Sequence, residues 1–190
     1  MARDGRSGLV CAAVTGAMLL GLTACAAQPS SAQTMSSAEL AAVAPDETTL
    51  ERALRRGVQV VRIRDHKGGY LPRVVAQVNT LNRAGVAGRI DGGYCFSACT
   101  VFLALRDVCV APWTQFGFHA PSDPRTRQAL SGQAWQQVTA HVAGYYRPEL
   151  ADWWMRHGRH VRTGMAFRTG ADLISMGYRA CPPLERAQTG

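Results

Sequence analysis

Between Gly57 and Ile90 the apolar pattern changes period twice, and this restricts the chain to a mixed fold. Gly57–Arg64 (Gly-Val-Gln-Val-Val-Arg-Ile-Arg) alternates around a β-branched core and predicts a strand. Leu71, Val74, Val75, Val78 and Leu81 then fall at helical spacing, predicting a helix over Pro72–Arg83. Pro72 sits where a first-turn proline is tolerated, and Gly85 is a stop signal. Val86–Ile90 returns to a strand pattern. Asp65–Gly69 and Asp91–Tyr94 read as turns.

The remainder continues the alternation. Ser97–Leu105 is nearly all apolar and predicts a buried helix opening at or near Ser97. Val108–Ala111 is a strand stopped by Pro112, and Phe116–Phe118 a strand running into His119-Ala120-Pro121. Helices are expected over Ser131–Tyr146, Pro148–His157 and Phe167–Met176. Thr169 and Asp172 stand at capping-box spacing in the last of these. Tyr178–Cys181 closes as a strand. The order β-α-β-α-β-β-α-α-α-β predicts one α/β domain built of repeated β-β-α turns, over residues 49–185, with 186–190 as a tail.

A length of 190 residues admits one domain with a real core. A hydrophobic fraction of 47% and a charged fraction of 18% exclude disorder of the whole chain and a scaffold held by disulfides alone. Basic residues outnumber acidic ones 21 to 13, for a net charge of +8, and all but Lys67 are Arg. They are scattered, without the stripe or motif of a nucleic-acid binder, so no nucleic-acid partner is expected.

The N-terminus reads as an address. Arg3 and Arg6 precede an apolar stretch, Leu9–Leu22, that is short for a membrane span. It ends in Leu22-Thr23-Ala24-Cys25, which resembles the lipobox of bacterial lipoproteins. The resemblance implies removal of residues 1–24 and acylation of Cys25, which would anchor the protein to a membrane. The expected location is the bacterial cell envelope, facing the periplasm, on the outer membrane if there are two. Residues 25–48 are rich in Ser, Ala, Gln and Pro and read as a tether.

Four cysteines remain in the folded part: Cys95, Cys99, Cys109 and Cys181. An even number in an oxidising compartment points to disulfides, and three pairings are open. The Cys95–Cys99 spacing, C-x₃-C, does not suit a zinc site, so no metal is expected. No cofactor is expected either.

Three segments carry candidate chemistry. Gly68-Gly69 lies between a strand and a helix, where backbone N–H groups can approach a developing negative charge. Ser97 opens a buried helix, either as an N-cap or as a nucleophile presented at a sharp turn. His119 ends a strand and stands as a candidate base for Ser97.

Taken together these segments resemble the proteolytic subunit of the Clp protease and its crotonase-like fold. In that family a Ser-Pro-Gly-Gly turn, a serine opening a buried helix and a His-Gln-Pro segment follow in order. Here the matching stretches are His66-Lys67-Gly68-Gly69, Phe96-Ser97-Ala98 and Phe118-His119-Ala120-Pro121. Gly93-Tyr94-Cys95-Phe96-Ser97-Ala98-Cys99-Thr100 followed by Gly117-Phe118-His119-Ala120-Pro121 is closer still to bacterial periplasmic Clp-like proteins. The resemblance spans about residues 56–181. It implies Ser97 as nucleophile, His119 as base and the N–H groups of Gly69 and Ala98 as oxyanion donors.

Two departures stand out. The glycine turn lacks the preceding Ser-Pro. The family's acid precedes a phenylalanine before the last helix, but Thr163–Phe167 holds no carboxylate, which leaves Asp152 and Asp123 as substitutes without a motif. The expectation is a lipid-anchored envelope serine hydrolase, an ATP-independent peptidase acting through an acyl-serine with a dyad or incomplete triad. The alternative is a non-catalytic Clp-like lipoprotein holding a partner or ligand in its cleft. Thioester chemistry of the crotonase kind is disfavoured for an exported chain. No G-x-x-x-x-G-K-[ST] motif is present and no ATPase partner is expected. A monomer or small oligomer is expected. Trp135, Trp153 and Trp154 are expected to pack rather than bind.

Overall fold

In the computed structural model, which describes Leu50 and residues 53–183, the β-branched runs form the expected sheet interior. These residues belong to one unit. The leader, Cys25, the tether and the tail 186–190 lie outside the described residues.

Strand β1 (Val60–Ile63) buries Val61 and Ile63. Helix α1 (Leu71–Arg83) buries Val74, Gln77, Val78 and Leu81, one face at three- and four-residue spacing, and packs on the helix that opens at Ser97. The helix ends in a Schellman motif: Val86 N–H reaches the Leu81 carbonyl at 3.0 Å and Gly85 N–H the Asn82 carbonyl at 3.3 Å. Gly85 takes the left-handed φ of +67° that this cap requires. Strand β2 (Ala87–Ile90) then pairs parallel to β1.

From β2 the chain alternates between two sheets. Strand β3 (Tyr94–Phe96) enters the second sheet and leads into a buried 3-10 helix, Ser97–Ala104. Strand β4 (Val108–Val110) returns to the first sheet and β5 (Gln115–Phe118) to the second. Helices α2 (Gly132–Ala143) and α3 (Pro148–Arg156) follow. Then come strand β6 (Ala166–Thr169), helix α4 (Gly170–Ser175) and strand β7 (Arg179–Ala180). The first sheet has the order β1-β2-β4-β7 and is parallel throughout; the second has the order β3-β5-β6, with β6 antiparallel to β5. The fold class is α/β, as expected, with β-β-α units feeding both sheets.

Three expectations are corrected. Asp91–Tyr94 is not wholly a turn: Tyr94 begins β3, because Tyr94–Phe96 pairs with Gln115–Gly117. The helix at Ser97 is 3-10 over eight residues, longer than such helices usually run. Phe167–Thr169 is strand rather than helix, since β5 claims these residues by antiparallel pairing. Helix α4 starts only at Gly170, where Thr169 and Asp172 form the expected capping box. Gly170 is required there, because a Cβ would stand 1.9 Å from the Ala111 carbonyl oxygen.

The core is filled by Phe102, Phe116, Phe118, Leu81, Ile90, Leu150 and Leu173. Trp153 and Trp154 are buried with their rings against Phe118, and Trp135 donates its indole N–H to the Arg159 carbonyl. Asp91, just past β2, is a buried carboxylate that accepts from Arg62 at 2.6 Å and Arg89 at 2.7 Å. Paired this way its charge is tolerated in the interior.

Two disulfides form, Cys95–Cys99 and Cys109–Cys181. The second joins β4 to the chain just past β7 across 72 residues. Closing a loop of that length removes about 4 kcal/mol of unfolded-chain entropy in the simplest treatment. The double variant C109A/C181A is therefore expected to lose about 2–4 kcal/mol in denaturant unfolding, and an unchanged midpoint would contradict this role.

Candidate functional site

Ser97 stands at the junction of β3 and the 3-10 helix with φ +55°, a left-handed conformation uncommon for a residue with a Cβ. Such a backbone costs on the order of 1–3 kcal/mol and persists only where its surroundings impose it. The Cys95–Cys99 disulfide spans it, and both of those side chains are buried. Behind it, Thr100 Oγ1 donates to the Ser97 carbonyl at 2.8 Å. Having given its one proton, Thr100 accepts from the Tyr146 hydroxyl at 2.7 Å. Burial pushes the Tyr146 phenol above its ordinary pKa, so it stays a donor. A chain of two hydrogen bonds, the second joining residues 46 apart in sequence, thus grips the backbone of Ser97.

His119 follows β5, the strand beside β3, and this pairing brings the two side chains together. Its Nε2 lies 2.7 Å from Ser97 Oγ. Its Nδ1 lies 2.7 Å from the backbone carbonyl of Ala120. A carbonyl oxygen only accepts, so Nδ1 carries the proton and Nε2 is left bare to accept from the serine hydroxyl. The Ala120 carbonyl is itself held: Ala120 N–H donates to the Val161 carbonyl at 2.8 Å, and Pro121 follows.

Neither carboxylate offered as an acid stands behind His119. Asp152 pairs with Arg156 one turn along α3. Asp123 accepts the amides of Arg125 and Thr126 within its own loop, and those bonds lower its pKa. Asp172 is occupied at the cap of α4. The orienting group is a main-chain oxygen, which every residue possesses and which no residue-type pattern can reveal.

The glycine turn packs directly on Ser97. At Gly68, φ is +94° and an added Cβ would stand 2.7 Å from both the Phe96 carbonyl oxygen and Ser97 Cβ. Gly69, with φ +142°, lines the same cavity as Gly68, Ser97, Ala98 and His119. Ala98 is the second residue of the 3-10 helix, one of the positions whose N–H has no partner within the helix. Gly69 and Ala98 are thus placed around one volume, and Gly68 is the glycine on which the close approach depends.

His66 was not singled out from sequence, yet it fixes the turn. Its Nδ1 accepts the Gly68 N–H at 3.0 Å, its own N–H reaches the Tyr94 carbonyl, and Phe96 N–H reaches its carbonyl. The ring is buried with its edge toward Phe102. The only advance signal was its place two residues before tandem glycines.

The cavity holds about 770 Å³ and runs from the serine to Tyr146 and Trp154. Among the described residues no group of three or more His, Cys, Asp or Glu could hold a metal ion.

No protein-family model matches this chain, and no curated protein matches it in sequence. Solved structures similar to it include the 1510-N membrane-bound stomatin-specific protease. A mutant of that protease in complex with a substrate peptide is 15% identical over 69% of this chain and 64% of that one, with a TM-score of 0.49. A serine mutant is 13% identical over 60% of this chain and 68% of that one, with a TM-score of 0.42. The chain thus spans 64% of the length of the first of these structures. Likeness at this level assigns no residue of this chain a role.

Burial lowers the pKa of His66. Neutral His66 can accept from Gly68; the imidazolium cannot. Because its folded-state pKa lies below its unfolded one, its stabilising effect is complete above about pH 6.5 and is lost as the pH falls through the folded value. Urea midpoints measured from pH 7.5 to 5 are expected to fall more for the wild type than for His66→Asn, whose amide oxygen accepts without titrating. Parallel curves would contradict the assignment.

Proposed function

We propose that this protein is a serine acyl hydrolase, a peptidase in its main activity, working with a Ser97–His119 dyad. The observation that carries this is the 2.7 Å contact between Ser97 Oγ and His119 Nε2, with Nδ1 engaged by the Ala120 carbonyl. A structural N-cap serine would spend its oxygen on the helix amides, whereas here Phe96 holds the cap position and Ser97 Oγ meets His119 Nε2. The strained backbone, the cavity and the glycine turn all meet at the same hydroxyl.

The chemistry follows from the protonation pattern. Ser97 Oγ attacks the substrate carbonyl as its proton passes to His119 Nε2. The oxyanion forms against the N–H groups of Gly69 and Ala98. His119 then gives its Nε2 proton to the departing amine as the C–N bond breaks, leaving an acyl-Ser97 ester. Water attacks that ester, its proton goes to Nε2, and the proton returns to Ser97 as the acid leaves. A carbonyl in the place of a carboxylate keeps the correct tautomer but adds no negative charge beside the imidazolium. In serine proteases, exchanging the triad Asp for Asn costs about 10⁴-fold in turnover largely through the wrong tautomer. Here that part of the loss is avoided.

The four cysteines of the folded part pair completely, which suits an oxidising compartment and supports reading residues 1–24 as an export leader, with Cys25 acylated on the lipobox reading. On this reading the enzyme is tethered to the envelope membrane and works without ATP on peptide or protein substrates.

The test is a fluorophosphonate probe. The wild type is expected to label at one site, and Ser97→Ala to abolish labelling. His119→Ala and Gly68→Ala should each slow it by at least about 10²-fold, the scale of a lost general base or misplaced oxyanion donor. Absence of labelling in folded, oxidised wild type would contradict the enzyme and favour a binding cleft.

A further inference from the structure

We propose that the substrate is an anionic peptide: an apolar residue seated in the cavity beside the scissile carbonyl, and a carboxylate held at the mouth by Lys67 and Arg127. This rests on the hydrolase reading and goes beyond it, because neither the dyad nor the fold specifies charge.

The inner wall of the cavity carries Val101, Leu130, Val138, Val142 and Trp154. Its two buried hydroxyls, Thr100 and Tyr146, are spent on each other and on the Ser97 carbonyl. A polar side chain entering here would give up its hydrogen bonds to water without replacement, whereas an apolar one has none to lose. The charged groups on the lining tell the other half. They are Lys67 and Arg127, and no Asp or Glu lines the cavity.

Among the described residues, neither Lys67 nor Arg127 forms an ion pair with a carboxylate. The carboxylates nearest them in sequence are engaged by backbone amides, Asp65 by that of Gly93 and Asp123 by those of Arg125 and Thr126. Lys67 is the only lysine in the chain and adjoins the glycine turn. A net charge of +8 adds attraction for anions at long range. Both side chains are exposed, so their effect is salt-dependent.

The carboxylate has two sources, an acidic side chain or the peptide's own C-terminus. The experiment uses the full-length protein in detergent with quenched fluorescent peptides sharing one Leu cleavage position. Flanking residues are Glu, Gln or Lys, each made as free acid and as C-terminal amide. Binding of the same peptides to Ser97→Ala is measured by fluorescence anisotropy. Glu-flanked or free-acid peptides are expected to exceed Lys-flanked amides about tenfold in kcat/KM and in affinity, the scale of two partly screened charge contacts. The ratio should fall toward about twofold in 0.5 M salt, where screening extends over only a few ångströms. In K67A/R127A it should come within about a factor of two of unity. Which arm carries the preference, side chain or terminus, identifies the source.

Equal binding and cleavage of all charge forms would overturn the proposal while leaving the hydrolase intact. A preference that persists in K67A/R127A would overturn the assignment to these residues. Charge-selective binding by Ser97→Ala without cleavage by wild type would sink the hydrolase reading and keep the anionic ligand.

Discussion

The left-handed backbone at Ser97 is the constraint around which the site is organised. A residue with a Cβ adopts φ +55° only at an energetic cost. Four separate features hold it there: the Cys95–Cys99 bridge, the pairing of β3 with β5, the close approach of Gly68, and the Tyr146–Thr100 chain on its carbonyl. Each comes from a different part of the fold. Together they turn the hydroxyl out of the helix start and toward His119, so that local strain, offset elsewhere in the core, becomes orientation.

His119 shows the complementary economy. Its tautomer is set by the nearest available oxygen, one residue further along the chain, in a segment held by the Ala120 N–H bond to the Val161 carbonyl and by the proline that follows. Orientation and charge stabilisation, which an aspartate supplies together, are thereby separated. The dyad retains the first and forgoes the second. On the function proposed above, the rate depends more heavily on how well the Gly69 and Ala98 amides meet the developing anion.

The parts of this arrangement legible in sequence were those written in local pattern. The β-branched run at Val60–Ile63, the face of α1, the glycine stop at Gly85 and the Thr169–Asp172 cap each declare themselves within a few residues. Ser97 and His119 were legible only as a pair resembling a known family; the sheet pairing that joins them is long-range. What escaped had no local signature. Phe167–Thr169 looks helical until β5 pairs with it. The pairing of the four cysteines could not be chosen by counting. Gly69 drew notice as the donor, whereas the steric need lies at Gly68, because only the packed backbone shows which glycine faces Ser97. Tyr146 and His66 act through hydrogen bonds to distant main-chain atoms, and the Ala120 carbonyl is invisible to any pattern of side chains.

The most direct measurement of the central claim is the nitrogen NMR spectrum of the His119 ring in the resting protein at neutral pH. A main-chain carbonyl at Nδ1 requires that nitrogen to be protonated and pyrrole-like, with Nε2 unprotonated, pyridine-like and shifted by the Ser97 hydroxyl, a shift that disappears in Ser97→Ala. A proton on Nε2 with a bare Nδ1 would contradict the account, because the imidazole could then not take the proton of the serine.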